Sequence, residues 1–255
     1  MLAIERRNAI LEKLQAEKRV VVSELSHIYD VSEETIRRDL EKLENDGFAI
    51  KSYGGAVINE NSNLDFPFNV RKNWNVAEKQ RIADIVAGIV KDGERIILDA
   101  SSTAVAIVRQ LKEKKNLTLI TNSVEIIVET VDMLSDWTVL STGGLLKGSG
   151  LALVGPQTER MLQSYRVDKA IISAKAVWKD GGFFDSDELH AMNKRTMLYA
   201  AKERILAVDS SKFRKTAFAK IGSFSDIDTV VTDKRPDDDW DELFKKQGIA
   251  CRYPN

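Results

Sequence analysis

The spacing of apolar residues changes along the chain and separates two regions. Up to about residue 57, apolar positions recur at helical spacing, and this pattern predicts short helices with polar breaks between them. From residue 77 onward, runs that are apolar throughout alternate with amphipathic stretches. Strands that bury both faces belong to parallel sheets, so the alternation predicts an α/β domain with a mainly parallel sheet.

The predicted strands of that sheet are the apolar runs 95–99, 117–121, 137–141, 169–173, 205–209 and 229–232. The predicted helices between them are the amphipathic stretches 77–90, 103–114, 123–134 and 188–202. Between the two regions the segment 58–69 is rich in asparagine and contains a proline, which is typical of a linker. We therefore divide the chain into a helical domain at 3–58, a linker at 59–76, a sheet domain at 77–235, and a final helix and strand at 236–255.

The first region has the layout of a winged helix-turn-helix. A first helix is predicted at 3–16, with Ile4, Leu11 and Leu14 on its apolar face. The helix-turn-helix follows at about 20–39, and two short helices at this spacing place a recognition helix in the major groove of DNA.

Two serines are candidate caps for these later helices. Ser23 can cap a short helix at 24–29, with Leu25 and Ile28 facing inward. Ser32 can cap the recognition helix, and the two glutamates that follow it suit the positive end of a helix dipole.

The recognition helix is predicted to bury one stripe, formed by Ile36, Leu40 and Leu43 at i, i+4 and i+7. Gly47 ends the helix, because glycine adopts the left-handed conformation that helix ends favour. The segment 49–57 then suits a small hairpin, the wing, with a Gly-Gly turn.

A local basic face on this domain is the candidate DNA contact. Arg37, Arg38, Lys42 and Lys51 can reach phosphates or base edges. The alternative is a three-helix bundle in which the arginines only solvate the surface. Charge leaves both open, because residues 1–57 hold 9 Lys+Arg against 11 Asp+Glu.

Composition narrows the class of protein. The chain has 255 residues, of which 43% are apolar and 30% charged, which is ordinary for a globular protein. No apolar run is long enough to span a membrane, and charges interrupt the first residues, so neither insertion nor export is expected. The single cysteine fits a reducing cytoplasm. With two histidines and one cysteine, we expect no metal site and no cofactor.

Small polar residues follow most predicted strands of the sheet domain. They are Asp99-Ala100-Ser101-Ser102-Thr103, Thr121-Asn122-Ser123, Ser141-Thr142-Gly143-Gly144, Ser173-Ala174-Lys175 and Asp209-Ser210-Ser211-Lys212. Each loop alone is explained by helix capping, but ligands of open parallel sheets bind beyond the carboxyl ends of the strands. We expect the loop 99–103 to be exposed and its helix start to bind a phosphate.

The string VSEETIRRDL at 31–40, followed by YGGA at 53–56, resembles the DeoR family of bacterial transcriptional regulators, of the glycerol-3-phosphate repressor type. The similarity continues through Phe68, Arg71, Glu78 and Lys79 in the family's linker pattern, and through the segment 209–213. The chain departs from the family in the wing, where Lys51 and Tyr53 stand in place of an arginine and a histidine.

The residue pattern and the resemblance together give two sets of candidate site residues. The DNA-contacting set is Ser32, Glu34, Thr35, Arg37, Arg38, Lys42, Lys51, Tyr53, Gly54 and Gly55. The effector-binding set is Asp99, Ser101, Ser102, Thr103, Thr121, Asn122, Gly143, Gly144, Lys175, Asp187, Glu188 and Lys212.

The resemblance also implies a C-terminal sensor domain that is similar to the ribose-5-phosphate isomerase and coenzyme A transferase fold and senses phosphorylated sugars. The segment 184–195 corresponds to a loop and helix over the effector site. Ser173, Lys175 and His190 depart from the residues common in the family. Lys175 is either a ligand contact or part of an ion pair, and His190 is either close to the ligand or a surface histidine.

The favoured hypothesis is a cytoplasmic regulator, a repressor of a carbohydrate-utilisation operon that binds double-stranded operator DNA and is relieved by a phosphorylated sugar. Two-fold operators require a homodimer or homotetramer. The alternative is a sugar-phosphate isomerase, with Asp99, Asp187 or Glu188 as base and Lys175 or Lys212 neutralising an enediolate. An isomerase has no need of a winged helix, so we expect no catalytic residues.

Overall fold

The computed structural model of the chain describes residues 1–59, 66–148 and 150–254. The chain separates into two compact units, Met1–Trp74 and Asn75–Asn255. Within the described ranges, no helix has the length and apolarity that crossing a membrane requires.

The first unit combines helices with a small antiparallel sheet. Its elements are α1 (Ala3–Glu17), β1 (Arg19–Val21), α2 (Val22–Tyr29), α3 (Glu33–Asn45), β2 (Ala49–Ser52), β3 (Gly55–Ile58) and α4 (Phe68–Lys72). The strand order is β1-β3-β2, so the predicted hairpin gains a third strand that the sequence pattern did not indicate.

The buried stripe of α3 is confirmed: Ile36, Leu40 and Leu43 are at most 3% exposed. The predicted orientations of Ile4 and Ile28 are wrong, because these side chains are 61% and 55% exposed. In α1 the buried residues include Arg6, Ile10 and Leu14 at i, i+4 and i+8, and Ile4 lies off that stripe. In α2 only Val22 and Leu25 are buried among its apolar residues, and burial ends before Ile28 in the last turn.

One of the two predicted caps is correct. Ser32 precedes α3, and its hydroxyl accepts a hydrogen bond from the backbone N–H of Thr35 at 3.2 Å. Ser23 lies inside α2, which begins at Val22, so its predicted role as a cap is wrong. The chain passes directly from β1 into α2, which moves the helix start to the residue before this serine.

Part of the predicted linker 59–76 belongs to the first unit, which corrects that prediction. Residues 60–65 lie outside the described part of the chain. Beyond them, α4 carries Val70 into the core, and the rings of Phe66 and Trp74 pack edge to face with centroids 4.5 Å apart. Apolar side chains in a polar stretch therefore anchor the segment before the second unit begins.

The second unit is an α/β domain. Its helices are α5 (Val76–Ile89), α6 (Ser102–Gln110), α7 (Val124–Glu129), α8 (Pro156–Gln163), α9 (Glu188–Tyr199) and α10 (Asp238–Lys246). Its strands are β4 (Arg95–Leu98), β5 (Thr118–Thr121), β6 (Thr138–Ser141), β7 (Leu145–Lys147), β8 (Ala152–Val154), β9 (Val167–Ile172), β10 (Ala176–Trp178), β11 (Gly182–Asp185), β12 (Ala201–Ala207), β13 (Ala219–Gly222), β14 (Thr229–Val231) and β15 (Ala250–Arg252).

The large sheet has the strand order β15-β14-β12-β9-β4-β5-β6, and all neighbouring pairs are parallel. Every predicted strand lies in this sheet, which confirms the α/β fold class. The predicted helix 188–202 is too long, because the chain leaves α9 after Tyr199 and enters β12 at Ala201, which pairs with Val167. Cross-strand pairing overrides the helical pattern there.

Two small antiparallel sheets stand beside the large one. One is the hairpin β7–β8, and the other has the order β10-β11-β13. Main-chain hydrogen bonds connect the first of them to the end of β5: Asn122 accepts from the N–H of Leu153 at 2.8 Å, and Val124 donates to Leu151 at 3.0 Å. The hairpin therefore lies next to the carboxyl end of the parallel sheet.

Candidate functional site

The exposed face of α3 carries basic side chains that are paired one helical turn away. The pairs are Arg37 Nη2 with Glu33 at 2.8 Å, Arg38 Nε with Glu34 at 3.3 Å and Lys42 Nζ with Asp46 at 3.1 Å. Exposed pairs of this spacing contribute only about 0.3–0.5 kcal/mol each, so the basic groups can exchange an acidic partner for a phosphate at little cost.

A buried ion pair ties α3 to α1. Arg6 Nε lies 2.6 Å from Asp39 Oδ2, and Arg7 Nη1 lies 3.5 Å from the other oxygen of that carboxylate. The Asp39 side chain is 5% exposed and sits on the buried side of α3. This pair was not predicted, although an aspartate beside the apolar stripe was the available signal. It fixes the orientation of α3 in its unit.

The wing presents a side chain at its tip. Tyr53 is fully exposed, and Lys51 on β2 and Gly54 in the turn are exposed as well. Gly55 is buried instead, and a Cβ on it would lie 1.9 Å from the carbonyl oxygen of Val20. The missing side chain lets β1 and β3 approach each other, so Gly55 has a packing role in the wing, and its DNA contact stays a prediction.

The remaining DNA-contact candidates lie on α3. Glu34 is exposed, and Thr35 is half-buried one residue before the buried stripe. The Thr35 hydroxyl lies 2.9 Å from that of Ser32, so the two hydroxyl groups are hydrogen-bonded to each other at the start of the helix. Together with the basic residues and the wing, they form one candidate surface within the first unit.

The effector candidates line the carboxyl ends of neighbouring strands. Leu98 pairs with Thr121 on β5 and with Ile171 on β9, while Leu206 on β12 pairs with Ile172. The loops that follow β12, β9, β4, β5 and β6 therefore stand in that order along one edge of the sheet. These loops span several strands, and hydrogen bonds and ion pairs connect the residues in the central part of the edge.

That central part is a buried ionic cluster built around Lys194 of α9. Its ammonium group donates to Asp185 Oδ2 at 2.6 Å and to the carbonyl oxygen of Ser173 at 2.9 Å, and it lies 3.2 Å from Asp99 Oδ2. Asp99 also accepts from Ser101 Oγ at 2.6 Å and from the N–H of Ser173 at 3.0 Å. Lys194 and Asp185 were not predicted as site residues, because only the fold brings them next to Asp99, which is remote in the chain.

The charges of the cluster shift the pKa values of two of its members, Asp185 and Lys194. Burial opposes the charge of Asp185, but the positive charges of Lys194 and Lys175 outweigh it and lower the pKa of Asp185 from 3.8 to about 2. Burial likewise disfavours the charged form of Lys194, and the two carboxylates Asp185 and Asp99 overcome this and raise its pKa. Asp185 and Lys194 are therefore both charged at neutral pH.

The loop 99–103 is not exposed, which corrects that expectation. Asp99, Ser101 and Thr103 are at most 8% exposed, and Ser102 is half-buried. Asp99 and Ser101 are engaged in the cluster, and Ser101 Oγ also accepts from the N–H of Ala104 at 3.0 Å as the cap of α6. The start of α6 keeps its positive dipole end, and its peptide N–H groups at residues 102 and 103 can meet an anion.

A pair of buried asparagines stands next to the hairpin. Asn122 and Asn193 both donate their Nδ2 to the carbonyl oxygen of Leu153, at 2.9 and 3.1 Å. The carbonyl fixes which end of each amide faces it, so both Oδ1 atoms point elsewhere. These two oxygens are buried and accept no hydrogen bond from the described residues. Asn193 was not predicted; a buried acceptor of this kind suits a donor from a water or a ligand.

The glycines before the hairpin have a packing role. Gly144 has φ +113°, and a Cβ there would lie 2.3 Å from the Thr158 hydroxyl oxygen. That hydroxyl donates to the carbonyl oxygen of Gly143 at 2.6 Å. The two glycines therefore allow α8 to approach the end of β6, while both remain exposed on their outer side.

At the start of α9, the predicted contacts have structural partners. Asp187 caps the helix by accepting from the N–H groups of Leu189 and His190 at 3.1 and 3.2 Å, and it also pairs with Lys147 of the hairpin. Burial raises its pKa, but the Lys147 hydrogen bond and the helix N–H outweigh burial and leave it lowered. Glu188 is exposed beside it, and His190 is 7% exposed, so the alternative of a surface histidine is wrong.

The two predicted lysines stand at the ends of β9 and β12. Lys175 is half-buried, and its charge acts on Asp185. Lys212 lies in the loop after β12, with its Nζ 3.9 Å from Asp209 Oδ2. Since Leu206 pairs with Ile172, Asp209 and Lys175 each follow three residues later on adjacent strands. The edge of the sheet thus carries cations on its β9–β12 side.

The described residues contain no group of three or more His, Cys, Asp or Glu side chains arranged to hold a metal ion. What they do offer is a helix start, cations at two strand ends and buried amide acceptors. Such a set can bind an anion that also carries hydroxyl groups.

Comparison with known proteins gives the family. Residues 6–62 match the DeoR-like helix-turn-helix domain, and residues 74–234 match the DeoR C-terminal sensor domain. The uncharacterized HTH-type transcriptional regulator YulB of Bacillus subtilis is 41% identical over 233 residues, which cover 91% of this chain and 90% of that protein. The glycerol-3-phosphate regulon repressor of Escherichia coli is 30% identical over 92% of this chain and 93% of its own length.

Among solved structures, ribose 5-phosphate isomerase A from Methanocaldococcus jannaschii aligns with 53% of this chain and 53% of its own, at 24% identity and a TM-score of 0.39. The two family matches together extend over both units of the structure. The chain belongs to the DeoR family of transcriptional regulators, with a DeoR-type helix-turn-helix domain followed by a DeoR sensor domain.

Proposed function

We propose that this regulator represses a carbohydrate-utilisation operon and releases its operator when a phosphorylated sugar binds the sensor unit. The observation that carries the proposal is the pairing of a recognition helix with a polar strand edge that suits an anion, in one chain of the DeoR family. One relative is named for the regulon of a phosphorylated polyol, glycerol 3-phosphate.

The surface of α3 and the wing supports the DNA-binding half of the proposal. Arg37, Arg38 and Lys42 share the exposed side of α3, and Lys51 and Tyr53 lie on the wing. A helix of this kind reads base edges in the major groove, while the lysines contact phosphates. The buried Arg6–Asp39 pair keeps the helix in place during binding.

The strand edge supports the effector half. A phosphate at the start of α6 meets peptide N–H groups and the positive end of the helix dipole. Lys175 and Lys212 contribute positive charge from neighbouring strands, and Asn122 offers a buried amide oxygen. Charge-assisted hydrogen bonds contribute roughly 1.5–3 kcal/mol each, so a few of them give a phosphate ester useful affinity.

The isomerase alternative is less well supported. Asp99, the first candidate base, has its oxygens engaged by Ser101, the Ser173 N–H and Lys194, and is 1% exposed. A general base needs an oxygen within reach of the proton that it abstracts. The full-length relatives are transcriptional regulators, and we infer that this protein binds its effector without turnover.

An operator with two-fold symmetry requires at least two recognition helices, so we propose a homodimer or homotetramer. A regulator of this kind acts on chromosomal DNA, and we place it in the cytoplasm. Size-exclusion chromatography with light scattering on the full chain decides between monomer, dimer and tetramer.

The test uses labelled DNA from upstream of the encoding gene and fluorescence anisotropy, with and without glycerol 3-phosphate, ribose 5-phosphate or fructose 1-phosphate. We expect tight binding to the DNA and release by one of these esters. Release by none of them, together with no thermal stabilisation, contradicts the proposed effector class.

The variant Ser102→Asp places a negative charge at the start of α6, on the half-buried residue of the loop. We expect it to bind the DNA normally and to lose the response to the ester, because the new carboxylate repels the phosphate. Ser164→Asp, at the C-terminal end of α8, is the control for an added charge. If the Ser102→Asp protein still releases DNA at the normal ester concentration, the phosphate does not bind at the start of α6.

A further inference from the structure

The first residue of the sensor unit, Asn75, makes long-range contacts. It has a left-handed backbone, with φ 47° and ψ 44°, and stands directly before α5, where its carbonyl oxygen accepts from the Lys79 N–H at 2.9 Å. Its side-chain Nδ2 donates to Asp209 Oδ1 at 3.1 Å and lies 3.3 Å from Ser211 Oγ. Both partners are more than 130 positions away in the chain, so these contacts exist only in the folded unit.

Asp209 and Ser211 belong to the loop that carries Lys212. Asp209 is 2% exposed, and one of its oxygens accepts from Asn75 and from the Ser211 N–H at 3.1 Å. Its other oxygen faces Lys212 Nζ at 3.9 Å. A single buried carboxylate therefore stands between an effector candidate and the residue at which the chain enters the sensor unit.

The charges and hydrogen-bond donors around Asp209 determine its pKa. Burial disfavours its ionised form, but Lys212, the Ser211 hydrogen bonds and Lys79 outweigh burial and lower the pKa of Asp209. An anion that attracts the Lys212 ammonium removes one of these compensating charges. The carboxylate then relies more heavily on its remaining donors, among them the Asn75 amide.

We propose that Asn75 is the residue through which effector binding at Lys212 is transmitted to the start of the sensor unit. The proposal rests on the proposed function, because it assumes an anionic effector. The bound anion competes with Asp209 for Lys212, and the loop 209–212 rearranges around the carboxylate. Asn75 follows that rearrangement, and its neighbour Trp74 is the last residue of the DNA-binding unit. Two ligands are coupled in this way when each favours a different arrangement of the same element.

The decisive variant is Asn75→Gly in the full chain. Glycine keeps the left-handed backbone at no steric cost and removes only the amide, so the start of α5 is preserved. Asn73→Gly is the matched control, because Asn73 is two residues earlier and also donates its Nδ2 to a carboxylate, Glu12 Oε1 at 2.7 Å, within the first unit. Ser211→Ala is a second variant, which removes the other acceptor of the Asn75 amide.

Three dissociation constants are measured for each protein: upstream DNA alone, the releasing sugar phosphate alone, and DNA at saturating sugar phosphate. For Asn75→Gly we expect the first two within about twofold of the wild type, while the ratio of the two DNA constants falls by about tenfold or to unity. We expect Ser211→Ala to fall between the wild type and Asn75→Gly, and Asn73→Gly to respond as the wild type does.

Two results overturn the inference. One is an Asn75→Gly protein that binds the sugar phosphate and releases DNA with the wild-type ratio. The other is an Asn73→Gly protein whose ratio falls equally. If Asn75→Gly weakens both single-ligand affinities, Ser211→Ala decides, and a wild-type ratio there overturns the inference as well. A wild-type protein that binds none of the sugar phosphates is a different result, because it refutes the proposed function itself.

Discussion

Replacing Lys194 by methionine tests whether the buried ionic cluster holds the sensor unit together. Methionine keeps the length of the side chain and removes the charge that faces Asp185 at 2.6 Å and Asp99 at 3.2 Å. Two carboxylates then remain buried without their ammonium partner. Removing one member of a buried ion pair costs about 3–5 kcal/mol, which is a large part of the stability of an ordinary domain.

The wild type and the Lys194→Met variant are expected to change stability in opposite directions as the pH falls. In the wild type the pKa of Asp185 is lowered from 3.8 to about 2, so its stabilising contribution is complete above pH 3.8 and is lost as the pH falls toward 2. That shift corresponds to roughly 2 kcal/mol. In Lys194→Met, burial without the Lys194 charge raises the pKa of Asp185, so the variant regains stability when acidified from neutral pH to about pH 5.

The assay is urea unfolding followed by tryptophan fluorescence, since Trp137, Trp178 and Trp240 all lie in the sensor unit. Lys202→Met is the matched control, because Lys202 is 77% exposed and pairs with Asp168 at 2.9 Å. We expect this control to lose less than about 1 kcal/mol. A Lys194→Met protein as stable as the control at neutral pH, or one that loses stability between neutral pH and pH 5, refutes the reasoning.

Two further predictions concern the DNA surface and the hairpin. Arg38→Ala is expected to weaken operator binding by about 1–3 kcal/mol if Arg38 reads a base, or to lower the salt slope by about one if it contacts a phosphate. Anisotropy titrations over a salt series measure both, and Arg235→Ala, a paired exposed arginine in the sensor unit, is the control. Unchanged affinity and slope exclude Arg38 from the interface. Gly144→Ala brings a Cβ to 2.3 Å from the Thr158 hydroxyl at φ +113°, and is expected to cost about 1–3 kcal/mol in thermal unfolding. Gly88→Ala, on an exposed position of α5 with free space around it, is expected to be neutral or stabilising by up to about 1 kcal/mol, and equal losses in both variants contradict the packing argument.

Local pattern was enough to identify most elements near the candidate sites. The stripe Ile36, Leu40 and Leu43, the cap Ser32 and the turn glycine Gly47 follow from helical periodicity and backbone preferences, and the structure confirms them. The apolar runs of the second unit are strands for the same reason, since a run that buries both faces fits only inside a parallel sheet. The ten-residue string 31–40, which leads into α3, and the YGGA segment at 53–56 indicated the family.

Short or irregular elements escaped that pattern. The strand β1 and the hairpin β7–β8 have three residues per strand, which is too short for periodicity to be recognised. Ile4 and Ile28 were assigned to buried faces by spacing, yet the neighbouring helices cover other stripes. Which side of a short helix is buried depends on its partners.

The tertiary structure alone decided which polar residues meet. Thr121 lies beside Leu98, and Ile172 beside Leu206, because of the strand order, and this order places the loops after β12, β9, β4 and β5 side by side. The structure also showed that several residues expected to contact the ligand form hydrogen bonds or ion pairs within the protein.

The sequence by itself determined most of the helices, the strands of the large sheet and the family, because periodicity, capping and a short motif are properties of consecutive residues. The structure decided that Lys194 belongs with Asp99 and Asp185, and that Asn75 belongs with Asp209. From the sequence alone, a lysine or an aspartate is expected at the surface, since burying a lone charge is costly. Burial becomes favourable only when folding brings the opposite charge within hydrogen-bonding distance, and that proximity comes from the order of strands that are remote in the chain.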